Sequence, residues 1–376
     1  MPTLPDFRLE TYFAKWEFNA RYHLTASDAQ THSLSDLLAL ADDDGRERWE
    51  SLTLGYTETR GLPALREEIA ATYAEAEPDD ILCFAGAEEA IYLAMRALLE
   101  PTDHLVVLTP NYQAAETVPL AVCEVTGVAL RPEDDWALDV DAVAQAVRPN
   151  TRMVSVNFPN NPTGAVPAQE AWLDLVRLCD ERGITLFSDE VYRGLELTRP
   201  PLPQATDLSG TALSLNVMSK AYGLPGLRIG WIACRDRAVL DKLERAKHYT
   251  TICNSAPSEV LALIALRARD HLLDRNRRIV AENLPVFTDF FARYPDLFEF
   301  TPPDGGCVCF PRYLGADGVE AMCTDLVEQA GVLLLPASIY SSALTETPTD
   351  RFRVGLGRSN PTGALAAWSD WLEKRR

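Results

Sequence analysis

The chain has 376 residues, 47% of them hydrophobic and 24% charged, a balance that excludes collagen-like, coiled-coil and wholly disordered chains and allows two or three domains of ~150 residues. Its net charge of −20 repels a nucleic-acid backbone, and the N-terminal MPTLPDFRLETYF and the absence of any apolar run of about 18 residues give no sign of export or membrane insertion. Its eight cysteines are scattered, with only Cys307 and Cys309 close together, so no metal site is expected and the thiols suit a reduced, cytoplasmic protein.

In chain order, Pro63 suits the first turn of a helix whose Leu65, Ile69 and Tyr73 recur every four residues on one face, which is expected to pack on a sheet. Between about residues 80 and 235, short apolar runs alternate with helical patterns. The runs are ILCFA (81–85), HLVVLT (104–109), RMVSVNF (152–158), ITLFSD (184–189), ALSLNV (212–217) and RIGWIA (228–233). Alternation of this kind predicts an α/β fold with a mainly parallel sheet between helices. TRPPLPQ, around Pro200 and Pro201, reads as a loop. After about residue 270 a charged helix over 275–293, the TPPDGG segment and further short elements predict a smaller α+β domain. The expected division is an N-terminal arm with part of the small domain (1–45), a large domain (46–270) and a small C-terminal domain (271–376).

The strongest chemical signal is SKAYGLPGLRIGW, where Lys220 follows a buried strand and Arg228 lies eight residues later. A lysine at a strand end is partly desolvated, which favours the neutral amine needed for a Schiff base. NPTG (161–164) and SDEVY (188–192) each follow a strand, and ligands of doubly wound sheets bind at the carboxyl ends of strands. Asp189 could therefore pair with a protonated pyridine nitrogen, and Asn161 and Tyr192 could bond an oxygen on the same ring. Taken singly, NPTG is an ordinary turn and Asp189 a helix cap. Gly86, Ala87 and Glu88 sit where a strand gives way to a helix, a place where free N–H groups bind anions. Tyr112, in the loop TPNY, could stack on an aromatic ring.

These motifs, in this order over roughly residues 56–353, resemble the aminotransferase class I and II family, the fold-type I pyridoxal-phosphate enzymes. The resemblance implies that Lys220 carries pyridoxal 5'-phosphate as a Schiff base and shuttles the proton, while Asp189 keeps the ring nitrogen protonated. It also implies that Asn161 and Tyr192 contact the ring oxygen and that Tyr112 stacks on the ring. Arg228, Ser219 and the turn Gly86-Ala87-Glu88 would hold the phosphate, and Tyr56, in GYTETRG, would reach the phosphate of a neighbouring subunit in a homodimer. Arg353, in RFRVGLGR, would clamp the substrate carboxylate, with Arg351 and Arg358 as nearby alternatives. The implied activity is transfer of an amino group from an L-amino acid to a 2-oxo acid.

The chain departs from the family at two places. Val217 stands where many relatives have a serine, which predicts a differently arranged phosphate cup. Glu88 and Glu89 begin the helix, and the Glu88 side chain is expected to point outward with its N–H inward. The segment FNARYHLTASDAQTHSLSDLL is similar to a subgroup that includes capreomycidine synthase, so a β-lyase or a cyclase is the alternative activity, and a non-catalytic cofactor-binding module the remaining one. Asp28 could meet a cationic substrate side chain, though in so acidic a chain a solvated carboxylate is the simpler reading. His23 and His32 read as surface or capping residues, and Tyr12 and Trp16 either line the pocket or staple the N-terminal arm.

Overall fold

Short apolar runs flanked by amphipathic helices fold here into one seven-stranded sheet. The computed structural model describes residues 4–375. The strands are β1 (Ile81–Phe84), β2 (His104–Thr109), β3 (Glu124–Ala129), β4 (Thr151–Asn157), β5 (Thr185–Asp189), β6 (Leu213–Val217) and β7 (Gly230–Ala233), in the spatial order β1-β7-β6-β5-β4-β2-β3. All neighbours run parallel except β7, which is antiparallel to both β1 and β6. β1, β2, β6 and β7 are buried along their whole length, as strands covered on both faces must be. Six strands match the expected runs to within two residues. β3 was not foreseen, because EVTGVA is a half-exposed edge whose Glu124, Thr126 and Gly127 dilute the apolar signal.

The helices that matter for the site are α1 (Arg8–Trp16), α2 (Pro63–Ala70), α3 (Ala87–Leu98), α4 (Ala114–Leu120), α5 (Gln169–Arg182), α6 (Arg237–Lys247), α7 (Ala256–Arg267) and α8 (Arg269–Ala292). As expected, α2 starts at Pro63 and buries Leu65 and Ile69, which share a core with Ile81 and Trp231 of the sheet and with α7. In α3, Ile91, Leu93 and Met95 are buried, each contributing about 1.5–3 kcal/mol. That burial fixes the helix with its N-terminus at the carboxyl edge of the parallel strands.

The N-terminal arm joins the C-terminal part of the chain. Tyr22–His23 pairs in parallel with Val332–Leu333, and Tyr12 Oη donates to Leu334 O at 3.1 Å, so Tyr12 staples the arm. Arg8 ties the start of α1 both to Ile339 O, at 3.3 Å, and to Gln113 beside α4, at 2.9 Å. α8 begins at Arg269, six residues before the expected 275, and packs Phe290 and Phe291 against Trp368, Phe298 and Phe352. Among the described residues, no helix is long and apolar enough to cross a membrane.

Candidate active site

Parallel pairing places the ends of β4, β5 and β6 side by side, with Asn157 opposite Asp189 and Asp189 opposite Leu215. The loops leaving these ends line a cavity of about 770 Å³. Lys220, Asp189, Tyr192, Asn161, Ser219, Arg228, Tyr112, Ala87 and Glu88 all face it. Lys220 Nζ donates to Ser27 Oγ at 2.9 Å. Burial lowers the pKa of this amine, and the carboxylate of Asp28 is the largest opposing influence. Asp189 is pushed up to about 7 by burial, against a backbone hydrogen bond from Val191 and the nearby Lys220 charge.

Asn157 completes the floor and was missed from the sequence. Its amide donates to Asp189 O at 3.0 Å, and its Oδ1 accepts from Asn161 N at 2.8 Å. The signal was legible: an amide side chain ends a buried strand of the parallel sheet. Asn161 Oδ1 accepts from Arg353 Nη1 at 3.3 Å and from Tyr340 Oη at 3.0 Å. This occupies its carbonyl oxygen and leaves the amide nitrogen to the cavity. The Tyr192 hydroxyl is buried and has no hydrogen-bond partner among the described residues.

At the other end of the cavity, α3 begins without a side-chain cap at Gly86, so its first N–H groups stay free for an anion. Gly86 has φ +92°, and a Cβ there would stand 2.4 Å from Arg228 Nη2, so the turn admits only glycine. Arg228 also lies 3.5 Å from Ser219 Oγ, and Val217 faces the cavity with no hydroxyl to offer. The expectation for Glu88 is corrected. Its side chain lines the cavity near the Tyr112 phenol, and partial desolvation there raises its pKa. Glu89 is the carboxylate that turns back, accepting from Ala85 N at 2.6 Å.

The N-terminal arm supplies more of the wall than its sequence suggested. Asp28 is not solvated: both its carboxylate oxygens accept from Arg358 Nη2, at 2.9 and 2.8 Å, in the cavity wall. His23 also lines the cavity, against the expectation of a surface residue, and burial together with Arg353 and Arg358 lowers its pKa to about 4. Glu10 and Glu17 face the same space from α1 and the turn after it. His32 lies away from the cavity, 2.9 Å from Arg275 Nη1, and caps no helix: Ser33 beside it is the cap, accepting from Asp36 N. Arg353 is wholly buried behind Asn161, donating to Tyr340 Oη at 2.6 Å and Thr25 O at 2.7 Å. Arg351 lies outside the cavity, over the Trp136 ring. Tyr56 does not line the cavity and stands 93% exposed.

Residues 29–371 match the family model described as aminotransferase class I and II. The chain belongs to that family. A pyridoxal-phosphate-dependent aminotransferase from Streptococcus suis superposes with a TM-score of 0.92 at 30% identity, covering 99% of each chain. Capreomycidine synthase of Streptomyces vinaceus is 29% identical over 98% of this chain and 94% of its own length. An arginine–pyruvate transaminase of Pseudomonas aeruginosa is 32% identical over 76% of this chain and 74% of its own. This class I and II aminotransferase is therefore a fold-type I enzyme that depends on pyridoxal phosphate and moves amino groups between amino acids and 2-oxo acids.

Proposed function

We propose that Lys220 is the residue that holds pyridoxal phosphate and then moves the substrate proton, with the residues around the cavity dividing the remaining work. The observation that carries this is the convergence of Lys220, Asp189, Tyr192 and Asn161 on one cavity wall. The cavity fits the cofactor: the orphaned Tyr192 hydroxyl and the free Asn161 amide suit a ring oxygen, and the uncapped helix at Gly86 suits a phosphate.

When bound, the cofactor supplies a conjugated cationic ring that takes up electron density from the substrate α-carbon. Asp189 holds a proton on the ring nitrogen, and the positive charge opposite keeps its own carboxyl ionised. Tyr192 and Asn161 would donate to the ring oxygen, and Tyr112, with Glu88 beside it in the wall, would pack against the ring. Arg228, Ser219 and the N–H groups after Gly86 bind phosphate, with Ser219 serving in place of a hydroxyl at Val217. With the substrate amino acid held by the cofactor, Lys220 would be a free amine in a desolvated site and would remove the α-proton as general base. Arg353 takes the substrate carboxylate in this reading, exchanging its bond to Tyr340 for a fork to the carboxylate.

The finer substrate choice follows from charge. Asp28 and Arg358 neutralise each other, leaving Glu10, Glu17 and Glu88 in the wall with no cation paired to them among the described residues except His23, 3.9 Å from Glu17 and neutral at pH 7. A donor with a cationic side chain is the substrate class these acids favour, and the named activities of the capreomycidine synthase and arginine–pyruvate transaminase relatives are in keeping with it. The full-length similarity to capreomycidine synthase also supports a second reading, loss of a β-substituent followed by ring closure.

The active unit is proposed to be a homodimer, in which Tyr56 reaches the phosphate of the second copy. Support comes from the exposed Leu54, Tyr56, Tyr249 and Ile252, large apolar side chains that a partner would cover. The eight free thiols support placement in the cytoplasm. The test is Lys220→Ala, which is expected to abolish both visible Schiff-base absorbance and amino transfer. Undiminished turnover would overturn the assignment.

A further inference from the structure

Beneath the loop that presents Tyr56 lies a buried polar cluster that no step above uses. Lys247, the last residue of α6, is fully buried and donates from Nζ to Thr59 O at 2.6 Å and to Asn254 Oδ1 at 3.1 Å. Glu259, in the first turn of α7 and 1% exposed, accepts from Leu62 N at 3.2 Å through Oε1. Its Oε2 and the Asn254 Nδ2 have no partner among the described residues. Thr57 Oγ1 donates to Asn254 O at 3.2 Å.

The same loop is held at two further points. Cys83 N donates to Arg60 O at 3.0 Å, and the Arg60 guanidinium reaches Asp241 and Glu244 of α6 at 2.8 and 2.7 Å. Gly61 has φ +105° and passes so close to β1 that a Cβ would stand 2.6 Å from Cys83 Sγ. Residues 57–62 are therefore tied from below, while Leu54 and Tyr56 project outward at 87% and 93% exposure. The segment between α6 and α7 also grips the phosphate end of the cavity: Thr250 and Thr251 both donate to Glu89 Oε1, and Glu89 Oε2 accepts from Ala85 N.

A buried lysine is a poor device for stability, since apolar replacements of buried ionic groups are often neutral or better. Its donors are directional, and here they fix one carbonyl of a loop whose next-but-two neighbour is the exposed tyrosine. We propose that Lys247, Asn254 and Glu259 are positioning residues: they set the 57–62 loop so that Tyr56 meets the cofactor phosphate of a second copy of this chain. Through Thr250 and Thr251 they tie that loop to the chain's own phosphate cradle. The proposal rests on the reading of Tyr56 given above.

The test is a double-mutant cycle on pyridoxal phosphate affinity, read by absorbance titration of the apo dimer, with sedimentation and circular dichroism confirming assembly and fold. Tyr56→Phe is expected to weaken the cofactor about 10-fold or more, the range for one hydrogen bond to a charged group. Lys247→Met is expected to weaken it by a similar factor with the donor KM unchanged, and the double variant to be no weaker than the weaker single variant. If Lys247→Met costs its full factor in the Tyr56→Phe background, or costs nothing in the parent, the positioning role is overturned while the Tyr56 reading stands. If Tyr56→Phe binds as tightly as the parent, the tyrosine's role is refuted and the positioning role falls with it. Should Lys247→Met fail to fold, Asn254→Ala takes its place: about a 3-fold loss that vanishes in the Tyr56→Phe background supports the proposal, and an additive loss overturns it.

Discussion

Replacing Tyr192 with phenylalanine removes one oxygen from the most deeply buried part of the cavity wall. In the apo chain that oxygen is buried without a hydrogen-bond partner among the described residues. The Ser27 hydroxyl, which accepts from Lys220 Nζ, lies nearby but outside hydrogen-bond geometry with it. An unsatisfied buried hydroxyl costs about 1–3 kcal/mol, so Tyr192→Phe should leave the apo protein as stable as the parent or more so. For a chain of this length the gain is a rise of roughly 1–4 °C in the apo melting temperature. With pyridoxal phosphate present the sign reverses, because the hydroxyl then donates to a charged ring oxygen, an interaction of about 1.5–3 kcal/mol. Cofactor affinity should fall about 10-fold to 100-fold. Scanning calorimetry of the apo form and absorbance titration with the cofactor measure the two halves separately. A variant whose apo form melts several degrees lower, or whose cofactor affinity is unchanged, would refute the reasoning.

Asp189 carries a pH signature. Its pKa is raised from 3.8 to about 7 in the folded apo chain, so the fold binds its proton more tightly than the unfolded chain does. The resulting stability is present below about pH 4 and is lost as pH rises through 7, with a ceiling of roughly 4 kcal/mol. Urea titrations should show apo Asp189→Asn gaining on the parent between pH 5 and 8, and a parent that gains on the variant over that range would contradict this. Arg353→Lys should raise the donor KM about 10-fold or more for every amino acid, since lysine cannot make the two-pronged contact. Arg358→Lys should instead change the ranking of donors; the opposite pattern in steady-state kinetics would move the carboxylate clamp to Arg358. Glu17→Gln should lower kcat/KM for arginine and lysine about 10-fold relative to alanine, and an equal loss for all donors would remove the charge argument.

Much of the site was legible because its residues sit just beyond apolar strands in a parallel sheet, where chain order fixes spatial order. Lys220, Asp189, Tyr192 and Asn161 needed only the strand ends to be located, and Gly86 only the strand-to-helix junction. The N-terminal arm was not legible in the same way. Ser27 and Asp28 reach Lys220 and Arg358 through tertiary packing over more than 190 residues of chain, and nothing in ASDAQ announces that contact. Glu88 was misread for a local reason: its outward turn was inferred from repulsion by a phosphate, whereas the cavity leaves space for its side chain beside Tyr112. The polar strand end at Asn157 was present in the sequence but does not announce which neighbour it will hold. Arg353 was picked out by its motif, RFRVGLGR, yet its burial behind Asn161 depends on Tyr340 and on Thr25, the latter from the N-terminal arm.

The central claim is that Lys220 and the groups facing it run amino transfer, and a single turnover tests it most directly. The purified protein, loaded with pyridoxal phosphate, is followed by visible absorbance while each of a panel of L-amino acids is added, with Lys220→Ala as control. The account predicts loss of the Schiff-base band, formation of pyridoxamine phosphate and one equivalent of 2-oxo acid, fastest with a cationic donor and absent in the control. A retained cofactor band with release of ammonia or a cyclic product would establish the lyase or cyclase reading instead, and a protein with no Schiff-base band at all would contradict the role given to Lys220.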